Sequence, residues 1–324
     1  MSKYMKALLV GVGKTSKEVS FANDVHAMTK VLATNDDGSN NFECKSYVHG
    51  EKDIHIDAKY LMGRIEKLFA SDSAVTLFYF TGHGRSSAVG ASLVTMGKDD
   101  KTDVGVPFSF LLSHAIQALN HGITKEVIIL LDCCFSGDVG DLPFFAKNSA
   151  ILPKGLSIVT ASSSREFSYS TKDESQGVFT KHLVEGLEGG AADHLGRVTA
   201  AGLFDYTDSI LGAWEQRPTF KAHISNMYPL RQCEPIISRD VLNKIVDYFP
   251  EKSPHGLTPG YEDTAGNDPK LVPIFKILQQ YNRVGLVKPS KPHEHMYDAA
   301  MEGGSCYLTP WGRYYWELVK KERI

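Results

Sequence analysis

The sequence predicts an α/β fold in which a mostly parallel sheet is covered on both faces, followed by a smaller α+β unit. Three observations predict it. Residues 6–12, 75–80, 127–131 and 156–160 are short, nearly unbroken apolar runs, the pattern of strands buried on both faces rather than on one. Stretches with apolar residues at helical spacing separate them, as in repeated βα units. After about Pro235 the pattern changes, and residues 253–269 are rich in Pro, Gly, Asp and Thr, the composition of a loop between units.

The elements follow in order. Residues 6–12 read as a buried strand. Residues 23–32 carry Val25, Met28, Val31 and Leu32 at helix spacing, and 44–48 read as a second strand. Residues 58–69 form a helix with Tyr60, Leu61, Ile65, Leu68 and Phe69 on one side. The strand 75–80 ends at Thr81-Gly82-His83-Gly84, and 108–119 is a helix. The strand 127–131 ends at Asp132-Cys133-Cys134. Residues 156–160 and 178–187 are a further strand and helix. In the second unit, 268–283 is a helix, 285–287 and 306–308 are short extended pieces, and the stretch between them is polar. The last helix starts at Thr309-Pro310, with Thr as N-cap and Pro in the first helical position. We expect domains at 1–235 and 236–324.

Composition excludes several classes. The chain has 324 residues, of which 42% are apolar, too many for a disordered protein. Its net charge of −3 argues against a general attraction to nucleic acid. Five cysteines, an odd number without repeating spacing, argue against a disulfide framework and fit a reducing cytosol. No segment approaches 18 uninterrupted apolar residues, so no membrane span or signal segment is expected. A soluble, cytoplasmic protein is the expectation.

Two motifs bear on chemistry. Gly11-Val12-Gly13-Lys14-Thr15-Ser16 follows a strand and looks like a phosphate loop. The first glycine of that pattern would fall at position 8, which is Leu8 inside the strand, so a strand-to-loop turn is the better reading. The second motif is a thiol and an imidazole. A thiol peptidase needs a thiolate, a base to generate it and donors for the oxyanion. Cys134 and His83 both stand just beyond apolar strands, where ligands bind in such sheets. Glycines on both sides of His83 leave the imidazole uncovered. His83 precedes Cys134 by 51 residues.

These signatures resemble the His and Cys motifs of the caspase/metacaspase superfamily, particularly its bacterial members. The resemblance extends to residues 156–163, to Gly177-Val178-Phe179-Thr180 with Leu183 and Leu187, and to Asn23-Asp24 with Met28, covering roughly residues 5–230. It implies a three-layer α/β/α caspase-like sandwich and a cysteine endopeptidase. In it Cys134 is the nucleophile, His83 the base, and the backbone N–H groups of Gly84 and Cys134 the oxyanion donors. Cys133, one residue earlier, would face the opposite side of the strand.

By the same resemblance Asp132 and Asp24 line the S1 pocket. Thr81 stands where a Ser is often found, and Phe21 where metacaspases commonly carry a Cys. Two carboxylates in one cleft favour a cation, which implies cleavage of protein substrates after Arg or Lys. The alternative for Asp24 is an ordinary charge near a helix N-terminus. Lys147 and Lys154, in the connection after the Cys strand, are candidate autocleavage points. The acidic stretch of calcium-dependent metacaspases is absent after the His motif. Only Asp99, Asp100, Asp103, Asp138 and Asp141 are nearby, so no cofactor is expected, with calcium held by these residues as the alternative. His293, His295 and Cys306 lack zinc spacing.

The C-terminal unit resembles a winged helix. From residue 240 on it carries as many acidic as basic residues, which argues against DNA binding. It is a candidate for binding an activating second messenger or partner protein, and the resemblance suggests a role in antiviral defence. A catalytically silent caspase-fold scaffold is the alternative to an active enzyme.

Overall fold

A computed structural model of the chain describes residues 4–13, 19–87, 90–97, 103–133, 152–161, 175–211, 218–224, 226–263 and 268–324. The chain divides into two units, one of Met1–Asp193 with Arg197–Glu234 and the other of His194–Gly196 with Pro235–Ile324.

The first unit is built on a six-stranded sheet. Its strands are β1 (Met5–Val12), β2 (Phe42–Val48), β3 (Ser73–Gly82), β7 (Thr124–Asp132), β8 (Leu156–Thr160) and β10 (Thr219–His223). Their spatial order is β10-β8-β7-β3-β1-β2. All pairs are parallel except β10 with β8. Strand alternation sends Leu8, Val10, Phe78, Phe80, Ile129 and Leu131 to one core. There they meet helices α2 (Ala58–Phe69) and α3 (Phe108–Asn120). Ala7, Leu9, Leu77, Tyr79, Ile128 and Leu130 go to the opposite core, with helices α1 (Val19–Ala33), α4 (Val178–Glu185) and α5 (Ala200–Leu211). Both faces of β1, β3, β7 and β8 are thus buried, which is why these four strands show no polar alternation.

A second, antiparallel sheet was not foreseen. Strands β4 (Gly84–Ser87), β5 (Gly90–Met96) and β6 (Asp103–Pro107) follow β3 directly. Leu93, Met96 and Val106 anchor them in the α2/α3 core. A short pair, β9 (Arg197–Val198) and β11 (Arg231–Gln232), completes the unit.

The glycine of the phosphate-loop-like stretch has a packing role. A Cβ on Gly11 would stand 2.9 Å from both the Phe21 carbonyl oxygen and Val25 Cγ2. Gly11 lets α1 lie close on β1. Lys14, Thr15 and Ser16 lie outside the described residues.

The second unit holds a three-stranded antiparallel sheet, order β12 (His255–Gly256), β14 (Ser305–Leu308), β13 (Val287–Pro289). Around it lie α6 (Arg239–Asn243), α7 (Ile245–Tyr248), α8 (Val272–Arg283), α9 (Met296–Met301) and α10 (Pro310–Lys320). Thr309 caps α10 through its hydroxyl, which accepts from the Gly312 N–H at 3.1 Å, and Pro310 opens the helix. The polar stretch between β13 and β14 contains α9, which buries Met296, Ala299 and Ala300. A helix therefore stands in the connection where a winged helix would carry its wing.

Candidate active site

The β3–β7 ladder pairs Thr81 with Asp132. Both residues are at the carboxyl ends of their strands, and alternation turns both toward the α1/α4 face. α1 brings Asp24 to the same place. Asp24 is fully buried, Thr81 is fully buried and Asp132 is 3% exposed.

Each carboxylate is held by named donors. The Thr81 hydroxyl donates to Asp24 Oδ2 at 3.2 Å, and the Gly177 N–H donates to Asp24 Oδ1 at 3.0 Å. The Thr180 hydroxyl donates to Asp132 Oδ2 at 2.5 Å, and Asp132 also accepts from the Thr180 backbone N–H. Thr180 is the third residue of α4, whose N-cap, Gly177, offers no side-chain acceptor. Asp132, from a distant strand, therefore supplies the capping oxygen for that helix. The buried Tyr79 hydroxyl lies 2.6 Å from Thr180 Oγ1, which closes the chain of hydrogen bonds.

The two acids face each other across Gly177. A Cβ at Gly177 would stand 2.8 Å from Asp132 Oδ2 and 3.0 Å from Asp24 Oδ2, so only glycine fits over the pair. Asn23 steadies this segment, its Nδ2 donating to the Ser175 carbonyl at 2.7 Å. Burial, then repulsion from Asp132, raises Asp24 to about 8. Burial raises Asp132 to about 6 against the opposing bonds from Thr180. Near neutrality the pair thus holds one proton and one negative charge, the state expected of two desolvated acids in one site. Asp24 is not an ordinary surface charge of a helix terminus.

His83 lies just beyond β3. Gly82 before it takes a φ of 152°, and a Cβ there would stand 2.7 Å from the Val12 carbonyl oxygen. The His83 carbonyl accepts from the Val94 N–H at 2.9 Å, so the short second sheet fixes the backbone of the imidazole. Phe21, on α1, meets the His83 ring edge-on with centroids 5.6 Å apart. Gly84 opens β4 and pairs with Leu93. Cys133 is fully buried in the core on the α2/α3 side. Cys134 lies outside the described residues, as do Lys147, Asp99, Asp100, Asp138 and Asp141. Lys154 is exposed, but Gly155 after it is tied down: its N–H donates to the His223 carbonyl at 2.6 Å and its carbonyl accepts from Val127 at 2.8 Å. Among the described residues no group of three or more acids, histidines or cysteines is placed to hold a metal ion.

Sequence reasoning did not assign site roles to Tyr79, Gly177 or Thr180. For Gly177 and Thr180 the signal was a Gly-x-x-Thr at the start of a helix without a capping side chain; Tyr79 read only as part of an apolar strand.

The family model described as "Caspase domain" matches residues 5–227. Among solved structures, the chain is similar to the crystal structure of caspase-1 from Spodoptera frugiperda. The TM-score is 0.50 at 12% identity, over 71% of this chain and 90% of that one, a likeness of fold. No curated protein sequence matches significantly. No helix among the described residues is long and apolar enough to cross a membrane.

Proposed function

Since the chain belongs to the caspase-domain family, we propose that it is a cysteine endopeptidase that cuts proteins after Arg or Lys. Cys134 is the nucleophile and His83 its base. The observation that carries this reading is the buried Asp24/Asp132 pair beside His83. Two buried carboxylates in one site, with no cation bonded to either among the described residues, are an unstable arrangement, and a guanidinium relieves it by bonding both. The register Thr81↔Asp132 supports the dyad, because His83 and Cys134 each follow their strand partner by two residues. In the reaction His83 takes the Cys134 proton, and the thiolate attacks the scissile carbonyl. The N–H groups of Gly84 and Cys134 hold the oxyanion, and His83 returns the proton to the leaving amine. Water then hydrolyses the thioester. Phe21 and Thr81 form walls of the S1 site, Thr81 by orienting Asp24. No metal or other cofactor enters this scheme.

The test is a peptide library with Arg, Lys or Asp at P1. Cleavage after Arg and Lys, absent in Cys134→Ala, is expected. Equal turnover of Asp peptides would remove the specificity assignment, and a folded, inactive protein would favour a scaffold role.

Autoprocessing follows from the same specificity. Cleavage at Lys154 requires opening the Gly155 hydrogen bonds, so the expected cut is after Lys147. Intact-mass spectrometry of the active protein checks this, and a single uncut chain would refute it.

Residues 235–324 lie beyond the family match. We read them as a winged-helix-like accessory domain in which α9 replaces the wing, a reading supported by their three-stranded antiparallel sheet and flanking helices. It would bind an activating second messenger or partner protein in a cytoplasmic defence role. Truncation after residue 235 is expected to leave a folded peptidase that no longer responds to its activator. Unchanged basal and stimulated activities would remove the sensor role.

A further inference from the structure

The edge strand β2 is only partly covered by α2, and this leaves a cavity of about 440 Å³ on the α2 side of the sheet, far in sequence from the His83 motif. The β1–β2 register sets Lys6 beside Glu43 and Leu8 beside Lys45. With Tyr47 these residues form the floor, and α2 forms the wall through Arg64 and Lys67. Four cations and one acid thus line a concavity in a chain whose net charge is −3. Lys45 lies 3.7 Å from Glu43. Among the described residues, no ion pair involves Lys6, Arg64 or Lys67.

Arg64 is held in place. Its guanidinium lies 4.6 Å from the ring centroids of both Tyr47 and Tyr60, and its Nη2 donates to the Tyr60 hydroxyl at 3.2 Å. The two rings meet edge-on at 5.7 Å. A guanidinium fixed by two rings keeps most of its five donors for a ligand and loses little freedom on binding one. Lys67 sits in the last turn of α2 and offsets the negative end of that helix, so an anion can approach the wall.

We propose that this cavity binds a compact phosphate-bearing anion, with Arg64 as its bidentate anchor. The volume is in the range of small-molecule sites. The concave shape and fixed fork suit a phosphate group better than an extended acidic peptide.

The test uses the full chain and titrates pyrophosphate and ADP by calorimetry at low salt. Saturable one-to-one binding that weakens with salt is expected. Arg64→Gln, and separately the Lys6→Gln/Lys67→Gln double variant, should each weaken it about tenfold or more. Arg64→Lys should not restore it, since an ammonium lacks the fork. Tighter binding of ADP than of pyrophosphate would identify a nucleotide, and equal binding a bare phosphate group. No saturable binding, binding unchanged in both variants, or tighter binding of tetraglutamate than of either probe would overturn the proposal. Melting temperatures of the variants separate lost binding from lost fold.

Discussion

Cys134→Ala is expected to abolish peptide cleavage, and His83→Ala to slow it by about 10²–10⁴-fold, the usual contribution of a positioned general base. The two losses should not add, because a nucleophile and its base act as one unit. Cys133→Ser is the informative control. Cys133 is fully buried on the α2/α3 side of the sheet, while Thr81, Asp24 and Asp132 gather on the α1/α4 side. The variant should keep a large fraction of activity, since the substitution lies on the face of the sheet away from the acid pair. Steady-state kinetics with an Arg peptide, alongside melting curves, checks this. An inactive but folded Cys133→Ser together with an active Cys134→Ala would reverse the assignment.

Asp132→Asn should lower kcat/KM for Arg peptides by about thirtyfold or more. Removing one member of a desolvated ion pair costs about 2–5 kcal/mol, and about 1.4 kcal/mol is tenfold. Asn keeps an oxygen for Thr180, so the N-terminus of α4 stays capped and the loss reports charge. Asp24→Asn should act in the same direction. The pair also sets a pH dependence. With Asp132 raised to about 6 and Asp24 to about 8, raising the pH from 7 to 9 takes the site from about one negative charge to about two. KM for an Arg peptide should fall across that window, while KM for a matched citrulline peptide should not. Stability should move the other way. Both folded-state values lie above the unfolded carboxylate value, so this contribution is full below about pH 4 and is lost as pH rises through 6 and 8. Asp24→Asn should flatten the upper part of both profiles. Equal pH profiles for Arg and citrulline peptides would disconnect the carboxylates from P1 recognition.

The central strands β1, β3, β7 and β8 were legible because each carries a nearly continuous apolar run, and burial on both faces leaves no other pattern for such a run. Residues 58–69 and 156–160 match α2 and β8 end to end. The helices expected over 23–32 and 178–187 are α1 and α4, the first extended at its start and the second passing into a wider turn at Gly186–Gly190. The misses share a cause. β10 is half-exposed along most of its length, so its apolar signal is weak. Strands β4 to β6 are short, and their few core residues, such as Leu93, Met96 and Val106, stand among Gly, Ser and other small or polar residues, so no apolar run marks them. α9 turns just Met296, Ala299 and Ala300 inward from a polar setting, and three positions do not make a visible period.

By itself the sequence determined the parallel core and the placement of His83 and Asp132 at strand ends. Both follow from local apolar runs and the residues that stop them. The resemblance already put Asp24 and Asp132 in one cleft; the tertiary structure alone decided that both are buried there under Gly177, and that Asp132 caps α4 in place of a local side chain. It also decided that Tyr79 and Thr180 complete the network, and that Arg64 is clamped between two tyrosines over a basic cavity. These features depend on which surfaces of distant segments meet, and on the water excluded when they do. Desolvation, which makes the acid pair hold a proton near neutrality, belongs to no residue until the fold closes around it.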